Sequence, residues 1–585
     1  MIKNKITLSV LSLSLLLSSC SDLLDTKVNN TFDDDITWTL PDYAMGVLYN
    51  AYSNIPNTLS GFNSNYLDVA SDNACTNNYG SNIHNYSYGG LTAANNFYDN
   101  WDSCYKMMQY INMFMEYGLG DNITYSIASE LEDQYLRQRS KGEAHFLRAW
   151  WGCELLTRFG GVSEDGVALG YPIVLKYIDE SDSETYNNIA RNTYQECVDQ
   201  IVADCDLAIE YLPLEYTDDN DGQAFALDQI GRASGKAAMA LKARTLLLGA
   251  SPAFQDGGAG SDTAKWESAA KASYECIVAM SSQFTALLNS MMVGTSVQTT
   301  ENDEFLFRKW FNNNTLEGYH FPPMFFGNAY TCPSQNLVDA FPTNDGYPID
   351  DPRSCYDPQN PYANRDLRLS RYIYVNGETF NSARALQIYD GGLDAPGALY
   401  NNTRTGYYLH KGLSDKEDML YDEDDVSSTQ SDYHHCPLLR RGEQYLILAE
   451  ALNEAYGPLV SYNGYTAYSI IKSIREEANI GGAVYLLEQA ELGKDAFRDV
   501  ILNERRLELA FENFRLNDMR RHNLPLDVDI YRYDITKNSS GKLVYGTEPI
   551  IVEDRSALDN EKYRYFPIPQ DEMLKNPNMI QNKGW

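Results

Sequence analysis

The sequence lacks an apolar run long enough to cross a membrane. Its longest, Ile6 to Leu17, falls short of the ~20 residues a spanning helix needs and follows Lys3 and Lys5. That reads as a secretory leader. It also lacks basic charge: Lys and Arg total 46 against 81 Asp and Glu, a net charge of −35 in 585 residues. Binding a phosphate backbone requires clustered cations, and no long basic run offsets the mean repulsion, which excludes nucleic acid as a partner. CxxC pairs are absent, and without Cys20 the cysteines number nine. Cys197 and Cys205 lie about 12 Å apart along one helix, too far to bridge. A disulfide scaffold is not expected, and most cysteines read as buried thiols.

Known catalytic patterns are missing too. "GRASG" lacks the spacing of a nucleophile elbow, and "SSGK" from residue 539 has SxxK spacing in a turn-rich segment. A glycosidase carboxylate pair is defined by separation in space, which an acid count does not give. His434, His435 and Cys436 are adjacent, so their side chains diverge, and no second ligand pair is suitably spaced for zinc. Residues 217–228 have oxygen donors at some EF-hand positions (Asp219, Asp221, Asp228, with Gly222). The loop opens on Thr217 and closes on Asp, which weakens it; calcium is possible there, and otherwise no cofactor is expected.

What is present is helix patterning and tyrosine. Aromatics make up 12% of the residues, with 44 tyrosines, whose apolar face and polar tip suit amphipathic ligands such as sugars. Residues 42–56 and 98–118 read as helices. So do "GEAHFLRAWWGCELLTRFGG", "RNTYQECVDQIVADCDLAIEYLP", "GRASGKAAMALKARTLLLGASPAF" and "AKWESAAKASYECIVAM", each ending at a Gly, Pro or polar break. In the second, Tyr194, Val198, Ile201, Cys205, Ala208 and Leu212 recur at three and four residues, one apolar stripe that needs a partner. Ala237, Ala240, Ala243 and Leu247 alternate small with large, the device by which tetratricopeptide-like helix pairs approach closely.

Between about 284 and 436 the composition turns to Gly, Asn, Pro and aromatics, with short strands expected at "EFLFRKW" and "SRYIYV". Helices return from 437 to 523, the last read as one helix, "AFRDVILNERRLELAFENFRLNDMRRH", with Val500, Leu507, Phe511 and Phe514 as its seam. Glu508 and Glu512 lie at helical spacing from arginines and read as structural ion pairs. A C-terminal tail runs 524–585, and its closing segment, "YRYFPIPQDEMLKNPNMIQNKGW", reads mostly as turns. The expected fold is mainly α: a scaffold of tetratricopeptide-like helical pairs, chiefly 42–283 and 437–523, with a loop-rich insertion carrying short strands. Residues 1–19 read as the leader; length alone suggests three or four domains, whereas the family resemblance given below implies a single domain over 20–585.

Two resemblances sharpen this reading. "LSSC" before Cys20 is similar to a bacterial lipobox, which makes Cys20 the lipidated mature N-terminus and tethers the chain by acyl chains; the acids that follow, Asp22 and Asp33 to Asp35, resemble the start of surface lipoproteins of Bacteroidetes. Six collinear pieces, "GEAHFLRAWWGCELLTRFGG", "GRASGKAAMALKARTLLLGA", "CPSQNLVDAFPTNDGYPI", "LRRGEQYLILAEALNEA", "NERRLELAFENFRLNDMRR" and "FPIPQDEMLKNPNMIQNKGW", resemble the SusD/RagB family of outer-membrane nutrient-binding lipoproteins. The resemblance implies a SusD-like fold, lipid anchorage at the cell-surface face of the outer membrane, and no catalytic machinery. It further implies a SusC-like TonB-dependent transporter as partner and an oligosaccharide as ligand, with peptide capture the alternative and a surface glycosidase a more distant one.

A sugar site needs aromatic faces for the pyranose plus amides and hydroxyls for its oxygens. Loop 79–88 supplies Tyr79, Asn82, His84, Tyr86 and Tyr88. A second candidate wall is Trp310, Tyr319 and Tyr330, flanked by asparagines at 312–314 and 328. Trp101, in helical "WDSCYKMM", reads as core.

Overall fold

The computed structural model describes residues 37–585, apart from 58, 180, 218–222, 281–291, 295–303, 417–418, 421–429 and 482. The leader, Cys20, the early acids, and Asp219, Asp221 and Gly222 of the calcium candidate lie outside the described residues.

The chain is mainly helical, with short paired strands. The long helices are α1 (Pro41–Ser53), α2 (Trp101–Met113), α3 (Glu130–Phe159), α4 (Tyr194–Tyr211), α5 (Gly235–Ala250) and α6 (Thr263–Val278). After the loop-rich part come α7 (Arg441–Tyr456), α8 (Ala467–Glu477), α9 (Ala483–Leu492), α10 (Lys494–Glu508) and α11 (Arg515–Arg521). From α3 to α7 each long helix packs on the next, and α7 then meets α8 and α10. Local signals set the ends: Thr193 and Glu196 close a capping box on α4, and Ser234 caps α5. The α4 stripe is buried as its periodicity requires, from Tyr194 through Leu212. Close approach is built in by glycine. A Cβ on Gly152 of α3 would sit 2.5 Å from the Tyr171 hydroxyl oxygen and 3.1 Å from Ile201 of α4. Trp101 is core, edge-on to Phe159.

Two sequence expectations are revised. The helix expected through residues 496–522 breaks after Glu508, with Phe511 at φ 60° and Asn513 at φ 67°. Tertiary hydrogen bonds hold the break: Phe511 N–H donates to Asp68 at 3.1 Å, and Leu67 N–H donates to the Asn513 side-chain oxygen at 2.7 Å. Of "SRYIYV", only Ile373–Tyr374 is strand, because Leu367–Tyr372 closes as a short helix capped by Asp366. Ahead of the turn-rich closing segment, in a stretch that the sequence leaves unassigned, the tail carries two strand pairs, Ile530–Arg532 with Ile550–Glu553 and Ile535–Lys537 with Leu543–Tyr545.

Four strands organise the loop-rich face: β1 (Ala74–Thr76), β2 (Phe305–Asn313), β3 (Thr331–Pro333) and β4 (Asp432–Arg440). β1 pairs antiparallel with β3, and β2 with β4. Beneath them lies a hub of buried charge. Arg440 donates to Glu304 at 2.8 Å, Glu508 at 3.1 Å and Glu512 at 2.7 Å; Arg368 donates to Asp366, Glu504 and Glu508; Lys411 donates to Glu512 at 2.7 Å. Glu508 and Glu512 are indeed structural, but their partners come from distant segments rather than from arginines at helical spacing. The reason is burial: a carboxylate with no access to water needs several donors, and one helix face cannot supply them.

Candidate loop-face binding site

The β1–β3 ribbon brings the two candidate segments to one place. Thr76 stands opposite Thr331, so the chain leaving β1 toward Tyr79 and the chain entering β3 through Tyr330 share one end of the ribbon. Asn77 ties them: its amide donates to the backbone oxygens of Asn328 at 2.9 Å and Asn401 at 2.7 Å. Three loops, around 77–88, 318–330 and 400–404, therefore converge.

Within the first loop, Ser81 accepts the N–H of His84 and starts the short helix Asn82–Ser87. This fixes the His84 ring between Tyr79 and Tyr88, both edge-on to it, at centroid distances of 5.2 and 5.0 Å. Tyr79 and Tyr88 are 48% and 49% exposed, and Asn82 is exposed beside them. Below, the Arg404 guanidinium lies 5.3 Å from the centre of the Tyr79 ring and bonds Glu553 at 2.7 Å. Burial lowers the His84 pKa, outweighing the pull of Glu553, so the imidazole is neutral at neutral pH. The result is a platform of two presented phenol rings, a neutral imidazole and an exposed amide. Tyr400, 90% exposed, neighbours Tyr79.

Other candidates fall elsewhere. Tyr86 is 1% exposed, packed among Phe97, Tyr563 and Phe566. On this short helix Asn82 and Asn85 face outward while Tyr86 faces the core with Ile83 and Ser87, so it is withdrawn as a ligand contact. Trp310 is exposed but sits on the β2–β4 ribbon, 5.7 Å from Tyr433, in a groove with Tyr52, Ile55 and Lys309. Tyr319 and Tyr330 stack on each other at 5.9 Å. The second wall is thus two separate places, with Tyr319 and Tyr330 joined to the Tyr79 platform through Asn328.

A further cleft, with about 200 Å³ of free volume, is lined by Tyr356, Tyr362, Tyr407, Tyr533 and Tyr545 above Gln335 and Asp339. Tyr407 donates to Gln335 at 2.6 Å, and Gln335 to Asp339 at 2.7 Å. Sequence reasoning missed it. Its members are scattered over the insertion and tail, and their one signal was the abundance of tyrosine. Segment 400–407 connects the two places, with Arg404 under the platform and Tyr407 in the cleft.

With this geometry in view, the family models decide the lineage. Residues 298–585 match the SusD family model, and residues 23–247 match a model described as starch-binding and associating with the outer membrane. The chain belongs to the SusD family. SusD-like protein P2 of Formosa agariphila is 30% identical over 178 residues, a match spanning 30% of this chain and 28% of that relative's length. A SusD-like protein from Bacteroides fragilis superposes with a TM-score of 0.71 at 23% identity, covering 95% of this chain and 99% of that one. A SusD-like carbohydrate-binding protein from the same organism gives 0.66 at 22% identity, covering 93% and 99%. The mainly helical SusD-like fold is therefore established. Among the described residues, no helix is long and apolar enough to cross a membrane.

Proposed function

We propose that this SusD-family chain captures oligosaccharides at the cell surface and hands them unaltered to a SusC-like TonB-dependent transporter, held at the outer membrane by lipid on Cys20. The observation that carries the reading is the Tyr79–His84–Tyr88 platform. Two phenol rings, edge-on to a neutral imidazole, offer apolar faces beside an amide, which suits a polyhydroxylated, uncharged ligand better than an ionic one. The association with the outer membrane in one matching family model and the carbohydrate binding named for a structural relative support it.

Capture without turnover fits the carboxylate beneath the platform. Glu553 has one oxygen bonded to Arg555 and the other to Arg404. Burial opposes its ionisation, but the two guanidiniums outweigh that and lower its pKa, so it holds no proton to donate near neutral pH. A peptide ligand, the alternative, would bind indifferently to added sugars.

A glycan array on leaderless protein, followed by calorimetry with the best oligosaccharide, tests the reading. Tyr79→Ala and Tyr88→Ala should each weaken binding about two- to tenfold, the equivalent of ~0.5–1.5 kcal/mol per ring, with the oligosaccharide recovered at its original length. Loss that follows Tyr545→Ala instead would move the ligand to the tyrosine cleft. No binding to any glycan, or cleavage of one, would refute the proposal. Cys20→Ala should release the full chain from membranes, and a transporter should co-purify with the anchored form.

A further inference from the structure

The ribbon beneath the platform places two cysteines face to face. Cys75 and Cys332, far apart in sequence, are direct register partners on β1 and β3. Two register steps away, Ser334 N–H donates to the Asn73 oxygen at 2.8 Å. Hydrogen-bonded and non-hydrogen-bonded pairs alternate along an antiparallel ladder, with 74 and 333 between. Cys75 and Cys332 are therefore again a hydrogen-bonded pair, for which the Cα atoms lie about 5.5 Å apart. Disulfides span Cα separations of ~4.4–6.8 Å. Both side chains are buried, in a small cluster with Ile530 and Val552, and each thiol is a hydrogen-bond partner of the other.

We propose that in the exported protein Cys75 and Cys332 form a disulfide that locks the ribbon joining the two loop segments of the binding face. Export by the N-terminal leader would deliver the chain to an oxidising compartment, where such bonds form and persist. The chemistry is thiol–disulfide exchange with an incoming disulfide oxidant, a protein or small-molecule disulfide. The thiolate of one cysteine attacks the oxidant and displaces one thiolate; the thiolate of the other then attacks that cysteine's sulfur and displaces the second. Two thiols become one S–S bond, and their two protons and two electrons leave with the oxidant, which is reduced to two thiols. With both sulfurs inaccessible in the folded chain, the exchange belongs to folding, before Ile530 and Val552 cover the pair. The inference is independent of what the face binds.

The test is peptide mapping of the full chain, exported to the periplasm of an expression host and purified without reductant. It is unfolded in the presence of an alkylating reagent, digested and analysed by mass spectrometry. The expected result is one cross-linked pair containing Cys75 and Cys332, two hydrogens lighter than the separate peptides and lost on prior reduction, with the other described cysteines alkylated. Reductant should also lower the thermal midpoint of the wild type but not that of the Cys75→Ser, Cys332→Ser double variant. If that variant does not fold, the map of the wild type decides alone. Alkylation of both Cys75 and Cys332 without reductant, or a bond from either to another cysteine, would overturn the proposal.

Discussion

The helix stack and the charged hub hold the molecule by different means. In the stack, α3 to α6 interlock through apolar and small residues such as Ile201, Ala240 and Gly152, where each contact is weak, non-directional and replaceable. In the hub, Arg440 alone serves Glu304, Glu508 and Glu512, and Arg368 serves Asp366, Glu504 and Glu508, all essentially without water. Buried ion pairs add little net stability over apolar packing, but removing one partner leaves charge in a low-dielectric interior. The stack therefore sets how much the chain buries, and the hub sets how the loop face is seated on it.

The comparison breaks hardest at Arg440. Arg440→Met should cost about 3–5 kcal/mol of unfolding free energy by denaturant titration, because three carboxylates lose a shared counter-charge. Arg440→Lys should recover only part of it, since an ammonium cannot reproduce the fork.

Acid should also attack the hub side first. Burial pushes His320 down to about 3 and His435 down to about 4. Both are neutral when folded and titrate near 6.5 when unfolded, so their contribution is complete above pH 6.5 and is lost as pH falls toward those values, by at most ~1.4 kcal/mol per pH unit for each. His434 runs the other way: although burial opposes it, Glu317 raises its pKa, so its contribution is present below pH 6.5 and fades above. The difference between wild type and His320→Gln across pH 6.5 to 4.5 isolates one histidine. Equal slopes in the two proteins would contradict the assignment.

In the stack, Ile201→Val should cost only about 0.5–1.5 kcal/mol, measured the same way. The smallest effect belongs to the platform. Tyr79→Ala and Tyr88→Ala should change stability by no more than about 0.5 kcal/mol, their consequence appearing in ligand affinity instead.

The two regions also differ in how readable they are. The α4 stripe is legible because a helix is satisfied by neighbours three and four residues away. The break at Phe511 was not legible, since Asp68 and Leu67, far upstream, supply the hydrogen bonds that hold it. At the candidate site, residue types and the loops themselves were readable: Tyr79, Asn82, His84 and Tyr88 stand together as the segment suggested. Tyr86 was not separable from Tyr88 in the sequence, because a six-residue helix decides which ring faces Phe566. The tyrosine cleft and the Cys75–Cys332 pairing left no local trace at all.

By itself, the sequence determined the mainly helical scaffold and the presence of an aromatic, amide-rich face, since each follows from preferences summed over adjacent residues. Only the tertiary structure decided which rings meet solvent, which arginines serve which carboxylates, and which distant strands pair. Those choices turn on contacts between segments separated by long stretches of chain, where burial makes an unsatisfied charge or donor too costly for local preference to prevail.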